Sequence, residues 1–319
     1  MKSKLVIATF SSGSTYLQRS ATVWLRTLHD PRTVNPHELL NGIGHHPDGY
    51  LIKQWMDVNA QSTAEIQRLL ENNITPVVAR LSYDHLLLRK DDPEQLQKFY
   101  KFLNDYFDIY VSRRDNLFDY GLCWAIRRCT DREPAFQINN VHTPEDRIKL
   151  YGQRTFRVDP TLILGQAEKY LEYLKWVDVN FPTAQPVHYR DLEINIDSVL
   201  QQLFPASKNM ADCFGLTIAQ YTRIAYNISN GNIKHYTPEI IALWEKMKKY
   251  LDELCEQQVL LDSIPIKSTN MQDKLTKVSN MDECLESYNN WAKTCLHDAP
   301  TISAQELWTM ADADRQLYS

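Results

Sequence analysis

The chain has 319 residues, of which 43% are hydrophobic and 24% are charged, the composition of an ordinary globular protein with one large domain or a domain plus an extension. Its formal net charge of −5 gives no overall basic field for nucleic acid or for an anionic membrane, so any anion site must be local. No run of about 18 apolar residues is present in the sequence, which argues against a membrane span.

The amino-terminal segment and the cysteines bear on location. The apolar run that follows Met1 is too short for a signal peptide. Six cysteines are scattered along the chain without C-x-x-C pairs, which predicts free thiols in a reducing compartment. We therefore expect a cytoplasmic protein.

The opening stretch combines a strand, a turn of small residues and a helix. The run from Leu5 to Ala8 predicts a buried strand, and helical spacing begins at Tyr16. Between them, Gly13 allows a tight turn, and the hydroxyls of Ser14 and Thr15 add donors. This layout points backbone N–H groups at a phosphate. The nucleotide pattern G-x-x-x-x-G-K-[ST] is absent, and a plain connection is the alternative interpretation.

A long irregular connection is predicted next, because residues 30–49 are rich in Pro, Gly and Asn. Its histidines include the adjacent pair His45 and His46, which favours a solvated turn over a metal site because further spaced ligands are missing. Glu38 follows a proline, so it either begins a helix or serves as a base.

The second predicted strand covers residues 75–81, after a helix over 62–71. Ligands gather at the carboxyl ends of strands in open α/β sheets. Arg80 and His85 are therefore candidates for a charge and a base in the site. A commonplace loop pair with Asp84 is the alternative interpretation of His85.

A third strand is predicted to end at Arg113 and Arg114, and Asp115 and an aromatic helix follow. Arginine binds phosphate bidentately, and the helix dipole would add to its charge. This pattern predicts a phosphate site. An Arg–Asp ion pair that caps the helix is the alternative.

The rest of the chain is predominantly helical by pattern, with one further strand and a loop around Gly231 and Lys234. The predictions in chain order are an insertion or flexible segment over 127–160, a helix over 161–179, a strand over 186–192, a helix over 196–204, a loop over 227–239, a helix over 240–261, and helix-like patches at 281–295 and 304–315.

Several of these segments, in this order, resemble motifs of the sulfotransferase superfamily, and most closely those of bacterial carbohydrate-type sulfotransferases. Ser12 to Leu17 resembles the 5′-phosphosulfate loop, and Arg113 to Asp115 resembles the 3′-phosphate motif. The other similar segments are the acceptor-base loop at 35–38, the second core strand with its His-Leu end at 80–86, the segment that buttresses the cofactor motif at 189–192, and the late cofactor loop at 231–239.

The resemblance covers about residues 4 to 250 and implies a P-loop-type α/β fold, in which a parallel sheet is flanked by helices. We therefore predict a sulfotransferase-like domain at 1–260 and, from the helix-like patches beyond the resemblance, a helical C-terminal appendage at 261–319. The implied cofactor is 3′-phosphoadenosine 5′-phosphosulfate, whose sulfuryl group would pass to a hydroxyl of a small-molecule or carbohydrate acceptor. The implied site comprises Ser12, Gly13, Ser14, Thr15 and Tyr16 at the 5′ end, Arg114, Gly231 and Lys234 at the 3′-phosphate, Arg80 for the sulfuryl charge, and Glu38 or His85 for the acceptor proton, with no metal.

Two positions depart from the family pattern. Ser11 stands where a basic residue is usual, and Leu122 stands where a serine is usual. A binding protein that keeps the fold but has lost the chemistry therefore remains an alternative. A P-loop kinase of a small molecule is a further alternative, although the expected lysine and a clear magnesium carboxylate are missing from its pattern.

Overall fold

The computed structural model describes most of the chain, and Glu38 and His85 lie outside the described part. It covers residues 2–9, 12–33, 35–36, 39, 41–45, 51–55, 60–72, 76–83, 86, 92–131, 144–152, 154–256, 264–265 and 270–318. The chain forms two compact units: the first consists of Met1–Arg113, Tyr173–Leu192 and Ser198–Ser207, and the second of Arg114–Glu172, Glu193–Asp197 and Lys208–Ser319.

Strands and helices alternate in the first part of the chain, and the remainder is helical. The strands are β1 (Ser3–Ala8), β2 (Asn41–His45), β3 (Leu51–Trp55), β4 (Val78–Ser82), β5 (Phe107–Arg113) and β6 (Gln185–His188). The helices are α1 (Ser14–Leu28), α2 (Ala60–Asn72), α3 (Pro93–Tyr106), α4 (Leu117–Asp131), α5 (Pro144–Tyr151), α6 (Pro160–Asn180), α7 (Tyr189–Leu203), α8 (Met210–Phe214), α9 (Ile218–Ser229), α10 (Pro238–Glu256), α11 (Met271–Lys277), α12 (Met281–Thr294) and α13 (Ala304–Tyr318).

The first unit is built on a four-stranded parallel sheet with the order β4-β1-β5-β6. The central strand β1 pairs Val6 with Arg80 of β4 on one side and with Tyr110 of β5 on the other. Parallel strands covered by helices have apolar runs rather than alternation, and Leu5 to Ala8 is accordingly buried throughout. The predicted α/β class, with a parallel sheet flanked by helices, is confirmed.

Two local predictions in the first unit were wrong. The connection at 30–49 is not wholly irregular, because Asn41 to His45 pairs antiparallel with Leu51 to Trp55. The local sequence does not indicate this strand, because it contains glycines and a histidine rather than typical strand residues. The strand depends on hydrogen bonds from a partner strand. The strand predicted over 186–192 ends at His188, and α7 begins at Tyr189, with a break in helical geometry at Asn195.

The second unit is helical and includes the C-terminal helices. The Phe118 ring of α4 lies 5.3 Å from the Tyr288 ring of α12, and Phe156 forms a bridge with Val278, which follows α11. These helices therefore pack within the second unit, and the predicted boundary at residue 260 stays a prediction. The segment 127–160, expected to be an insertion or flexible, holds the end of α4 and all of α5, and residues 132–143 lie outside the described part.

A buried arginine joins three helices of the second unit. The Arg147 guanidinium donates to Ser229 Oγ at 3.0 Å, to Asn230 Oδ1 at 2.5 Å and to Asp273 Oδ2 at 2.6 Å, and its side chain is 1% exposed. The Tyr226 hydroxyl also donates to Asp273 Oδ2, at 2.5 Å. Because the charge of Arg147 is fully desolvated, it depends on the carboxylate beside it.

We expect Asp273→Asn to lower the free energy of unfolding by ~3 kcal/mol, because it leaves a buried guanidinium without its carboxylate. Denaturant unfolding measures the effect. The matched control is Asp252→Asn, which removes an exposed partner of Lys248 on α10 and should cost less than ~1 kcal/mol. Equal losses in the two variants would contradict a stabilising role for the buried cluster.

None of the helices in the described ranges is both long enough and apolar enough to cross a membrane.

Candidate functional site

The turn between β1 and α1 has the geometry of an anion cradle. Gly13 precedes the helix with φ +86 and ψ 0, in the left-handed region, and the helix that follows is right-handed. Such a pair of conformations turns successive backbone N–H groups toward one point. Leu17 N donates to Gly13 O at 3.0 Å, and the amides of Ser14 and Thr15 lie ahead of this hydrogen bond at the helix N-terminus. Anion oxygens bind well at such a position.

The turn is held in place by buried serines. Ser12 Oγ donates to Thr9 O at 2.8 Å, which closes the turn on itself. Ser112 Oγ, near the end of β5, donates to Ser12 O at 2.5 Å. Ser12 is 1% exposed and Ser112 is fully buried, so these hydrogen bonds do not compete with water. The direction of the amides is therefore set by the neighbouring strand as well as by the turn.

A tyrosine hydroxyl links the ends of two neighbouring strands beside this turn. The Tyr173 hydroxyl oxygen lies 2.9 Å from Ile7 O and 3.3 Å from Ser112 O, and the tyrosine is fully buried. Ile7 belongs to β1 and Ser112 to β5. The hydroxyl thus contacts backbone oxygens of both strands at the end where the turn begins.

Tyr189 packs directly against Gly13. A Cβ atom built on Gly13 would lie 2.4 Å from Tyr189 Cδ2 and 2.8 Å from Cε2. No real Cβ atom tolerates such a distance, so glycine is required here for space as well as for its positive φ. The Tyr189 ring therefore packs on the turn, while the buttressing of a cofactor motif that the resemblance implies for Tyr189 to Leu192 stays a prediction.

Arg80 reaches the first turn of α1. Its Nη1 donates to Thr15 Oγ1, and no acidic residue is present in the first turn of this helix. Arg80 lies in the middle of β4, opposite Val6, because the strand continues to Ser82, two residues beyond Arg80. A long side chain thus carries a positive charge to the helix N-terminus, where it reinforces the helix dipole toward an anion.

Three positions of the predicted site lie outside the described residues. They are Ser11, where the family has a basic residue, and the two candidate bases, Glu38 and His85. Their roles stay predictions. The first unit therefore brings together the residues of the 5′ loop and Arg80, and the base remains to be found by experiment.

Arg114 is part of a buried ion pair in the second unit. Its Nη1 lies 3.3 Å from Asp119 Oδ2, and its Nη2 lies 3.5 Å from Cys123 Sγ. The Arg114 side chain is 8% exposed. An Arg–Asp ion pair at the start of the helix, the alternative drawn from the sequence, is thus present, with Asp119 as a partner. Binding of a 3′-phosphate by Arg114 stays a prediction.

The remaining predicted cofactor residues lie on an exposed loop of the second unit. Gly231 has φ +74, which favours glycine, and Lys234 lies in a short 3₁₀ turn, Ile233–His235. Both residues are exposed. Leu122, which replaces the serine of the family motif, is fully buried in α4. It therefore serves packing within the second unit.

Sequence reasoning missed Ser112 and Tyr173, which support the turn through hydrogen bonds to backbone oxygens. Ser112 precedes Arg113 within a strand, where nothing in the pattern distinguishes it. Tyr173 lies in the middle of an amphipathic helix, where a tyrosine is indistinguishable from other core residues. Within the described part of the chain, no group of three or more His, Cys, Asp or Glu residues is arranged to hold a metal ion.

Comparison of the chain with protein-family models gives no match, and neither does comparison with curated proteins.

Proposed function

We propose that this chain is a sulfotransferase-like protein with a P-loop-type first unit. It would bind 3′-phosphoadenosine 5′-phosphosulfate and transfer the sulfuryl group to a hydroxyl of a small-molecule or carbohydrate acceptor. One observation carries the proposal: Arg80 donates to Thr15 in the first turn of a helix that begins at a left-handed glycine after a parallel strand. A helix N-terminus and a fixed guanidinium are thus joined at one end of the sheet.

The donor set of the turn fits a phosphosulfate. Backbone amides, the hydroxyls of Ser14 and Thr15, and the Arg80 guanidinium are all hydrogen-bond donors, as anionic oxygens require. Ser12 to Tyr16 would hold the 5′ end of the cofactor. The resemblance assigns the 3′-phosphate to Arg114, Gly231 and Lys234, and this half of the proposal depends on the sequence pattern alone.

The chemistry asked of the protein is positioning and charge stabilisation. When bound, the cofactor supplies an activated sulfuryl group. Arg80 would stabilise negative charge that develops on oxygen during transfer, and its hydrogen bond to Thr15 fixes the guanidinium before the reaction. Glu38 or His85 would accept the proton of the acceptor hydroxyl. With Arg80 in place, the missing cation at Ser11 does not leave the turn without positive charge.

Binding and transfer experiments on the full chain test the proposal. Calorimetry should show that adenosine 3′,5′-bisphosphate binds more tightly than ATP with magnesium. Labelled cofactor should lose its sulfuryl group to water or to members of a panel of sugars and simple alcohols. Tighter binding of ATP would favour the kinase alternative. Tight bisphosphate binding without transfer to any acceptor would favour a binding protein that has lost the chemistry.

A further inference from the structure

A buried serine hydroxyl has no hydrogen-bond partner at the end of β4. Ser82 is the last residue of this strand and is 4% exposed. Its Oγ makes no hydrogen bond to the part of the chain that the structure describes. Buried hydroxyls of this kind are uncommon in native proteins, because such a group has lost its contact with water and gained nothing in return. A bound molecule is one source of the hydrogen bond that the fold does not supply.

The register of the sheet places Ser82 beside the turn between β1 and α1 that contains Gly13 (the Gly13 turn). Ser82 pairs with Ala8, the last residue of β1, and the turn follows Ala8 directly. Both strands run in the same direction, so their carboxyl ends share one edge of the sheet. Ser82 therefore lies at the edge where the Gly13 turn begins.

The alternation of side chains along β4 places Ser82 on the same face as Arg80. Residues two apart on a strand share a face and are separated by about 6.6 Å along it. From this face Arg80 reaches Thr15 in the first turn of α1, whereas Ala79 and Leu81 belong to the opposite face. Ser82 thus lies on the face that contacts the start of α1, and nearer than Arg80 to the carboxyl end of the strand.

An anion at the Gly13 turn has the chemistry that this hydroxyl requires. The amides of Ser14 and Thr15 and the guanidinium of Arg80 favour an anionic ligand. The oxygens of such a ligand accept hydrogen bonds, and the hydroxyl of Ser82 has one hydrogen to donate. A phosphate oxygen at the turn would therefore give the buried hydroxyl an acceptor.

We propose that Ser82 is a further binding residue, whose hydroxyl donates to an oxygen of the 5′-phosphate held at the Gly13 turn. The inference rests on the proposed function, which assigns the 5′ end of the nucleotide to this turn. It goes further by giving the end of β4 a part in phosphate binding. The unpartnered hydroxyl disfavours the free protein, and the ligand removes this disadvantage. Loss of the hydroxyl should therefore weaken binding without weakening the fold.

Two nucleotides that differ only in the 5′-phosphate test this role. Adenosine 3′,5′-bisphosphate carries the 5′-phosphate and adenosine 3′-monophosphate does not, so the ratio of their affinities, measured by calorimetry, is the readout. We expect Ser82→Ala to lower this ratio by about tenfold, the loss typical of one hydrogen bond to a charged group. In denaturant unfolding without nucleotide, the same variant should be at least as stable as the wild type, because it lacks a buried hydroxyl that had no partner.

Ser20→Ala is the matched control in the same unit. Ser20 is fully buried in α1, and its Oγ likewise makes no hydrogen bond to the described residues. It lies six residues after Ser14, about 9 Å along the helix axis, so its loss should leave the ratio unchanged.

The outcomes separate this inference from the proposed function. A wild-type protein that does not prefer the bisphosphate overturns both together. A wild-type preference that Ser82→Ala leaves intact overturns the inference alone. A lower ratio that is accompanied by a lower free energy of unfolding, or that Ser20→Ala reproduces, also overturns it, because the hydroxyl then acts through the fold.

Discussion

Gly13→Val is expected to abolish binding of adenosine 3′,5′-bisphosphate and to destabilise the protein. A side chain at φ +86 carries a strain of ~1–3 kcal/mol, and the Cβ atom would lie 2.4 Å from Tyr189 Cδ2. Either the ring or the turn must move, and with it the amides of Ser14 and Thr15. Because this collision adds to the backbone strain, the free energy of unfolding should fall together with the affinity. Calorimetry and denaturant unfolding of the same sample measure the two effects.

The matched control for this variant is Gly215→Ala in the second unit. Gly215 has a similar φ of +78, and the atoms nearest to its added Cβ belong to the flexible Leu243 side chain, at 3.1 Å and beyond. It should therefore lose stability through the same backbone strain and keep its affinity for the nucleotide. Adding Tyr189→Ala to the Gly13 variant should recover part of the stability, because the collision is removed. A folded Gly13→Val variant with normal affinity would mean that the turn is only a connection.

Arg80→Ala should lower turnover by at least ~100-fold and weaken nucleotide binding less, as for the loss of one preorganised donor. The reason is the position of Arg80, whose guanidinium donates to Thr15 at the helix N-terminus, where the transferred group is proposed to lie. Arg80→Lys should keep the positive charge but lose the planar, forked geometry of the guanidinium. Its turnover should therefore lie between that of the wild type and that of Arg80→Ala. The assay follows labelled sulfate from the cofactor to water and to hydroxyl acceptors.

Arg32→Ala provides a second arginine of the first unit for comparison. Arg32 lies in the turn that follows α1, and its Nη2 lies 2.8 Å from Asp30 Oδ2. Because the Arg32 side chain is exposed, its loss should leave turnover close to that of the wild type. If Arg80→Ala and Arg32→Ala have equal activity, Arg80 does not supply the missing charge.

The parallel sheet could be predicted because its main strands are short, rich in apolar residues and followed by small or charged residues. β1 is buried as a continuous run from Lys4 to Ala8, and β4 is buried at every position except Arg80, whereas β5 alternates between buried and half-buried residues from Phe107 to Val111. The β2–β3 hairpin could not be predicted, since its pairing depends on a partner strand rather than on local propensity. The start of α7 could not be predicted, because Tyr189 and Leu192 suggest a strand in the sequence. Their contacts with the Gly13 turn are known from the structure alone.

The candidate site also has a part that the sequence predicts and a part that it does not. Gly13 indicates a tight turn. Arg80 is a candidate because the predicted strand ends at residue 81, whereas the residue lies in the middle of β4 and its side chain reaches the helix N-terminus. Asp115 and Asp119 are both close to Arg114 along the chain, and the local sequence does not indicate the ion pair with Asp119. Lys274 Nζ also donates to Asp119 Oδ1 from 155 residues along the chain, and no local pattern connects these two residues. Long-range contacts of this kind depend on the packing of whole helices.

The supports of the Gly13 turn also have a consequence for folding. The hydrogen bonds that hold it span 100 residues in the case of Ser112 and 166 in the case of Tyr173. A turn stabilised over such separations cannot form early from local sequence, since the cost of closing long loops must be met first. Nucleotide affinity should consequently appear late in refolding, together with the assembled sheet. A ligand at this turn would then stabilise the native state against unfolding by an amount that rises with the logarithm of its concentration above the Kd, because partly folded chains do not bind it.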